Sequence, residues 1–296
     1  MPELPEVETV ARTLREGLGA PSLIGRTLQS AQVLWEREIG NLKARDFERQ
    51  VAGMRVQQIG RHGKYLLINL ASVASVVSTA IELERTTPTN RTSEIVNRRS
   101  LTMLVHLKMS GRLEVVPQAD AFTKHARVVW LLDDRLALRF DDTRKFGRVW
   151  LVEDPVEIIG QLGPDALYVS EAHFVERLQT KKRAIKPLLL DQTFIAGVGN
   201  IYADESLHRA GLHPQRLSNT IGDAAARRLF ETIRLVLEEG IRANGASFDW
   251  VYPGGSFQEN FRVYGMTDKP CPTCGEPIRR ILVGQRSTHF CPKCQV

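Results

Sequence analysis

The sequence predicts an α+β protein: an N-terminal antiparallel β-sandwich or barrel led by one helix, a helical second half, and a small cysteine-rich module at the end. Three observations carry this. Between about residues 23 and 152, short apolar runs with frequent alternation are separated by close turns. Between about 170 and 243, apolar residues recur at three- and four-residue steps instead. All four cysteines fall in the last 26 residues. A chain of 296 residues suits about two domains with a small appended module. The boundaries are set at 1–152, 153–265 and 266–296, with an insertion at 71–100.

Residues 5–18 form the first expected helix. Val7, Val10, Ala11, Leu14 and Leu18 share one face, Pro5 suits the first turn, and Glu6 and Glu8 suit its positive end. The expected strands are RTLQSAQVLW, GMRVQQIG, KYLLINL, LTMLVHLKM, RLEVV, ARVVWLLDD, RLALRF and GRVWLV. Residues 71–100, rich in Ser, Thr, Asn and Arg, interrupt them and read as a surface insertion. EDPVEIIGQLGPDA, 153–166, reads as a linker with Gly and Pro breakers. Helices follow over about 170–180, 184–191, 200–210 and 219–243. In the last, Leu229, Ile233, Val236, Leu237 and Ile241 make one apolar stripe. The Gly-, Ser- and aromatic-rich stretch 243–261 suits a loop beside a site, or a connector.

The charge balance narrows the function. Forty Lys+Arg against 34 Asp+Glu leave +6, with a pI near 9.3, which favours a polyanionic partner. No apolar run has the roughly 18 residues a membrane helix needs. The opening MPELPEVE lacks the basic and apolar regions of a signal peptide, so a cytoplasmic, nucleoid-associated protein is expected. Cys271-x2-Cys274 and Cys291-x2-Cys294 fit a tetrahedral site for one structural Zn2+ on two knuckles, rather than two disulfides. Such an ion would hold together a segment too short to bury its own core. Arg279, Arg280 and Arg286 between the knuckles, and Lys293 within the second, make the module basic.

Met1-Pro2-Glu3 offers chemistry. Removal of Met1 would expose Pro2 as a secondary amine, and terminal amines have a pKa near ~8, so a useful fraction is neutral. Its attack on a sugar C1′ gives an iminium that cannot be neutralised by losing a proton from nitrogen. That cation acidifies C2′ and invites elimination of the 3′ phosphate. Glu3 could protonate the ring oxygen or shuttle protons, and Glu6 could position it. Both sit near a helix start that tends to keep them ionised, so an acid role for Glu3 requires desolvation. Taken alone, the segment reads more readily as an ordinary capped helix.

MPELPEVETV resembles the opening of the bacterial formamidopyrimidine-DNA glycosylases, within the formamidopyrimidine-DNA glycosylase/endonuclease VIII family. GRHGKYLL, HLKMSGRL, DDTRKFGRVW, LGPDAL, KKRAIKPLLLDQ, GVGNIYADESL and the terminal four-cysteine module with GQRSTHFC follow in matching order. The resemblance spans nearly the whole chain outside 71–100. It implies a β-sandwich, a helix–two-turn–helix domain and a zinc finger, with duplex DNA in the cleft between them. It implies Pro2 as nucleophile, Glu3 as general acid/base and Glu6 in support. Lys64, beside the Gly63 turn, would hold phosphate with a reachable, solvated ammonium.

Met109, Arg144 and Phe146 would fill the hole left by an everted base, with Lys145 on phosphate. Taken alone, Met109 and Phe146 read as core. His106 and Lys186, the latter from the basic run Lys181, Lys182, Arg183 and Lys186, would approach DNA. Asn200, after the Gly197–Gly199 turn, would offer its amide to phosphate at a helix start, or simply cap the helix. Arg286 would join Lys64 and Asn200 around the lesion phosphates.

The resemblance thus implies a bifunctional glycosylase/AP lyase, acting as a monomer with no protein partner on duplex DNA bearing oxidised purines or abasic sites. Two alternatives stand beside it. An endonuclease VIII-like enzyme for oxidised pyrimidines is opposed by Leu4, where that branch typically carries Gly. A DNA-binding relative without chemistry is opposed by intact Pro2, Glu3 and Lys64.

Overall fold

The structure is a computed structural model that describes residues 1–72, 100–247 and 254–296. The expected insertion at 71–100 therefore lies almost wholly outside the described residues, as does the centre of the 243–261 loop. The first helix, α1, runs Leu4–Glu16 with Pro5 in its first turn. Val7, Val10, Ala11 and Leu14 are buried on one face. It ends at Gly17, whose φ of 77° lets its N–H reach back to the Thr13 carbonyl.

All eight expected strands of the N-terminal half are present: β1 Thr27–Val33, β2 Met54–His62, β3 Tyr65–Ser72, β4 Ser100–His106, β5 Gly111–Pro117, β6 Ala126–Leu132, β7 Leu136–Asp142 and β8 Arg148–Val152. They pair antiparallel in the order β5-β7-β6-β1-β2-β3-β4-β8. The ladder narrows to two residue pairs between β1 and β2. The sheet turns over there, and its two halves share one core with α1. Val56, Ile68 and Met103 enter that core from one half, Trp130, Leu138 and Phe140 from the other. Burial alternates along β3 and β5, the period-2 pattern that made them legible. Between β1 and β2 the chain adds a 3-10 turn, Glu36–Glu38, and a two-turn helix α2, Ala44–Val51, that the sequence reading missed. Only Phe47 and Val51 of α2 are buried, too few apolar positions to set a period. Phe47 meets the Trp130 ring edge-on at 6.2 Å.

The helical half contains α3 Val156–Ile159, α4 Glu171–Gln179, α5 Ile185–Leu190, α6 Asn200–Ala210 and α7 Asp223–Arg242. The apolar stripe of α7 is buried as expected, with Ile241 at its partly buried end. α6 is different: apart from Asn200 and Arg209, it is buried on every side, including Asp204, Glu205, Ser206 and His208. The module at the C-terminus is a hairpin, β9 Arg279–Val283 and β10 Arg286–Phe290, packed by β10 against α6.

The 153–166 stretch is more than a linker. Its Asp165 (4 % exposed) takes Arg61 of β2 (side chain 1 % exposed), and the Gly63 N–H donates to the same carboxylate at 2.7 Å. Arg61 also donates to Glu8 of α1 at 2.9 Å. An Arg completely withdrawn from water is tolerable only with such partners. The lock fixes the β2–β3 turn against the helical half. At Gly63, with φ +56°, an added Cβ would lie 2.9 Å from that of Ala196.

Asp165→Ala is expected to lower unfolding free energy by about 3 kcal/mol, because Arg61 would remain buried with only Glu8 opposite it. Urea denaturation checks this. A variant within about 0.5 kcal/mol of wild type, the ordinary range for surface changes, would show that the lock carries no stability.

Candidate active site and nucleic-acid interface

The site is built where α1 meets the N-terminus of α6. Pro2 and Glu3 are buried immediately before α1. Glu3 Oε1 accepts the Ile201 N–H at 3.0 Å and Oε2 the Tyr202 N–H at 3.4 Å. A carboxylate thus closes the positive end of α6. Nothing larger than glycine fits at the helix cap, since a Cβ on Gly199 would lie 2.3 Å from the Glu3 carboxyl carbon. Burial pushes the Glu3 pKa up, against the pull of Lys64 and the Ile201 N–H, while Glu6 adds to the rise. The desolvation that an acid role needs is therefore present.

Glu6, also buried, binds three groups. Its Oε2 accepts the Glu3 N–H at 2.8 Å, and its Oε1 accepts the Tyr202 hydroxyl and the Ala246 N–H, each at 2.8 Å. Tyr202 stacks on Phe257 with ring centroids 5.1 Å apart. Glu6 therefore ties the chain start to α6 and to the foot of the loop after α7. Tyr202 was missed in the sequence because it passes for one more apolar residue of a buried helix.

Lys64 corrects an expectation. It is only 5 % exposed, not solvated. Burial lowers its pKa, Glu3 and Glu6 oppose that fall, and Arg286 reinforces it. The turn that was read as exposing the lysine instead aims it inward toward the two carboxyl groups. Arg286 is exposed at the start of β10, within electrostatic reach of Lys64 and Lys186. Asn200 is the first residue of α6, not its cap, which is Gly199. Its amide donates to the Ser287 carbonyl at 3.1 Å, and the Ile201 and Tyr202 N–H groups go to Glu3 rather than to solvent.

His106 is 8 % exposed and meets the edge of Tyr65, with Nδ1 accepting the Lys108 N–H at 3.0 Å. Burial, then Lys108 and Lys64, drop its pKa to about 3, so the ring is neutral at physiological pH. Lys186 is a second correction. It has no exposed surface. Its Nζ lies 2.7 Å from Asp204 and donates to the Thr288 hydroxyl at 2.8 Å and the Ser287 carbonyl at 3.0 Å. It cannot touch DNA in this conformation and serves instead to hold α5, α6 and β10 together. Lys181, Lys182 and Arg183 beside it are exposed.

Met109 and Phe146 are 42 % and 49 % exposed, so they are not core. Arg144 lies over the Phe146 ring at 5.0 Å, and Lys145 Nζ lies 3.8 Å from the centre of the Trp35 ring. Lys145 has a left-handed backbone, φ 60°, uncommon for a residue with a side chain. The fully buried Asp142, unnoticed in the sequence, enforces it. Its carboxylate accepts the N–H groups of Arg144, Phe146 and Gly147 at 3.1, 2.8 and 2.7 Å, and the Ser110 hydroxyl beside Met109.

Cys271, Cys274, Cys291 and Cys294 are free thiols whose sulfurs all lie within 4.8 Å of one another. Four thiolates on an ion at about 2.3 Å stand about 3.8 Å apart, so the set fits a tetrahedral metal centre. The Cys271–Cys294 and Cys274–Cys291 separations are 3.9 and 3.5 Å. His208 of α6 brings Nε2 to 3.4 Å from the Cys271 sulfur.

Three family models match this chain. They are the formamidopyrimidine-DNA glycosylase N-terminal domain over 1–149, the formamidopyrimidine-DNA glycosylase H2TH domain over 162–250, and the zinc finger found in FPG and IleRS over 268–296. The formamidopyrimidine-DNA glycosylase of Pelotomaculum thermopropionicum is 38% identical over 305 residues, covering 100% of this chain and 99% of that protein. The protein of that name from Chloroflexus aggregans is 40% identical with the same coverage. A crystal structure of Lactococcus lactis Fpg (MutM) with DNA containing an oxidized pyrimidine superposes with a TM-score of 0.82 at 30% identity, covering 99% of both chains. A complex of the Lactococcus lactis protein with abasic-site DNA gives 0.81 at 29% identity over 99% of both chains. Matched from end to end in sequence and in architecture, the chain belongs to the formamidopyrimidine-DNA glycosylase family.

Proposed function

We propose that this protein is a bifunctional DNA glycosylase/AP lyase that removes oxidised purines, chiefly 8-oxoguanine and formamidopyrimidines, from duplex DNA. The observation that carries the reading is the buried carboxyl of Glu3, its proton affinity raised, beside Pro2 and opposed to Lys64. With Met1 removed, the Pro2 amine attacks C1′ of the damaged nucleotide. The base departs with its bonding electrons and takes up a proton. Protonated Glu3 donates to the ring oxygen, which opens the sugar to the iminium. Loss of a C2′ proton expels the 3′ phosphate. A second elimination expels the 5′ phosphate.

Arg286 stabilises the phosphates around the lesion, Lys64 faces the Glu3 carboxyl from within the site, and neutral His106 donates a hydrogen bond without charge. Met109 and Phe146 enter the vacated stack, Arg144 offers donors to the orphaned base, and Lys145 lies near the backbone. Asn200 holds the finger hairpin against the helix start. Lys186 has no part in contacting DNA. A single structural zinc on Cys271, Cys274, Cys291 and Cys294 would stiffen the hairpin bearing Arg286 and supply no chemistry, since four thiolates leave no open position.

Borohydride is expected to trap the mature chain on abasic-site duplex through Pro2, and Pro2→Gly to lose most of that adduct. A chain still bearing Met1 that is trapped as well as the mature form would remove Pro2 from the reaction. Glu3→Gln is expected to lower excision of 8-oxoguanine by about a hundredfold, the ordinary scale of a positioned acid, with duplex affinity kept. Duplexes with 8-oxoguanine are expected to be cut faster than those with thymine glycol, and the reverse order would favour the oxidised-pyrimidine reading. Cys271→Ser is expected to weaken DNA binding with the Pro2 amine intact; unchanged affinity in a gel-shift titration would separate the metal site from DNA.

A further inference from the structure

The turn Trp35–Gly40 lies directly beneath the loop that carries Arg144, Lys145 and Phe146. Leu34 and Trp35 N–H groups both donate to the Arg127 carbonyl of β6, at 2.8 and 3.2 Å, and Gly40 N–H donates to Val149 of β8 at 2.8 Å. Arg127 Nε in turn donates to the Asp142 carbonyl at 2.7 Å. The turn is therefore bolted to β8, which follows the loop, and to β6, whose Arg127 holds the end of β7 that precedes it, and its Trp35 ring is the seat of Lys145. Within it Glu38 has no exposed surface, and neither carboxyl oxygen has a hydrogen-bond partner among the described residues. Its nearest cation is Arg148, whose Nη1 stands 3.9 Å from Oε2. A carboxyl so placed has no reason in packing alone, because an apolar side chain would fill the space without an orphaned polar group.

We propose that Glu38 is a positioning residue for the Arg144–Phe146 loop: its carboxyl, beside Arg148 and within electrostatic reach of Arg127 and Lys145, sets how Lys145 sits on Trp35 and so where Arg144 and Phe146 meet the duplex. This rests on the reading of that loop as the element that enters the DNA stack. The groups facing Glu38 are Asp142 from β7, Arg148 from β8, Arg127 from β6 and Lys145 from the loop itself. Burial, then Asp142, push its pKa up to about 8, against the three cations. Near neutral pH the acid is uncharged and leaves Lys145 free to serve the DNA backbone. Above about 8 it becomes an anion that draws Lys145 and Arg148 inward. A polyanion bound over the loop disfavours that anion, so binding takes up a proton there and affinity falls as pH rises.

The test uses the full mature chain and a duplex carrying a tetrahydrofuran abasic analogue opposite cytosine, which binds without reacting. Glu38→Gln keeps the shape and the neutral charge. It is expected to match wild type in affinity near neutral pH and to bind several-fold more tightly than wild type well above pH 8. Emission from Trp35, read as wild type minus Trp35→Phe without DNA, is expected to shift with a midpoint near 8 and to lose that shift in the Glu38→Gln background. Superimposable pH profiles for wild type and Glu38→Gln in both measurements would overturn the proposal. Failure of both proteins to prefer the abasic duplex over undamaged DNA, with the Trp35 shift intact, would instead overturn the reading of the loop while leaving the coupling between Glu38 and Lys145 in place.

Discussion

The geometry of this protein depends on one seat: the Glu3 carboxylate on the first N–H groups of α6. An acid from the start of the chain and a helix start almost two hundred residues later are buried against each other, with Lys64 opposite. Burial alone would discharge the acid, the helix end and the ammonium alone would keep it charged, and the balance leaves a group able to hold or give a proton. Glu6 repeats the design one turn along, gathering the Glu3 N–H, the Tyr202 hydroxyl and the Ala246 N–H on one carboxylate. The start of α1 is thus tied to the helical half by its two acids, while its apolar face packs into the core of the sheet.

Several of the deepest charges in the molecule lie where its parts meet. Arg61–Asp165 and Lys186–Asp204 are both nearly or wholly removed from water. Such pairs add little net stability over an apolar replacement, yet breaking one member is costly. They therefore act as registration pins: each tolerates one relative placement of its two segments. Lys186 illustrates the trade, since the cation that seats β10 on α6 is by that fact withheld from DNA.

Local pattern made the strands legible because period-2 burial is written residue by residue, as along β5, and made α7 legible by its stripe. The four cysteines announced their own cluster by spacing. What stayed hidden was decided by distant partners. Nothing in GRHGKYLL tells that the lysine turns inward, because the carboxyls that receive it come from the chain start. Asp165 sits among Gly and Pro residues that signal a connector, and its partner Arg61 lies about a hundred residues away. Asp142 and Tyr202 escaped for the same reason. Met109 and Phe146 erred in the other direction: read alone they belong in a core, and only the fold leaves them bare.

α6 joins the two ends of the system. Along its eleven residues it meets Glu3 at its head, Lys186 and His289 through Asp204, the Arg262–Tyr264 backbone through Glu205, and Cys271 through His208. With 3.6 residues per turn, one residue gained or lost in its middle would swing everything beyond that point by about 100°. The acid at one end and the thiolates at the other could not then both find their partners. The length of this segment is consequently frozen in a way that its individual side chains are not, and drift in chain length has to be absorbed by connections elsewhere.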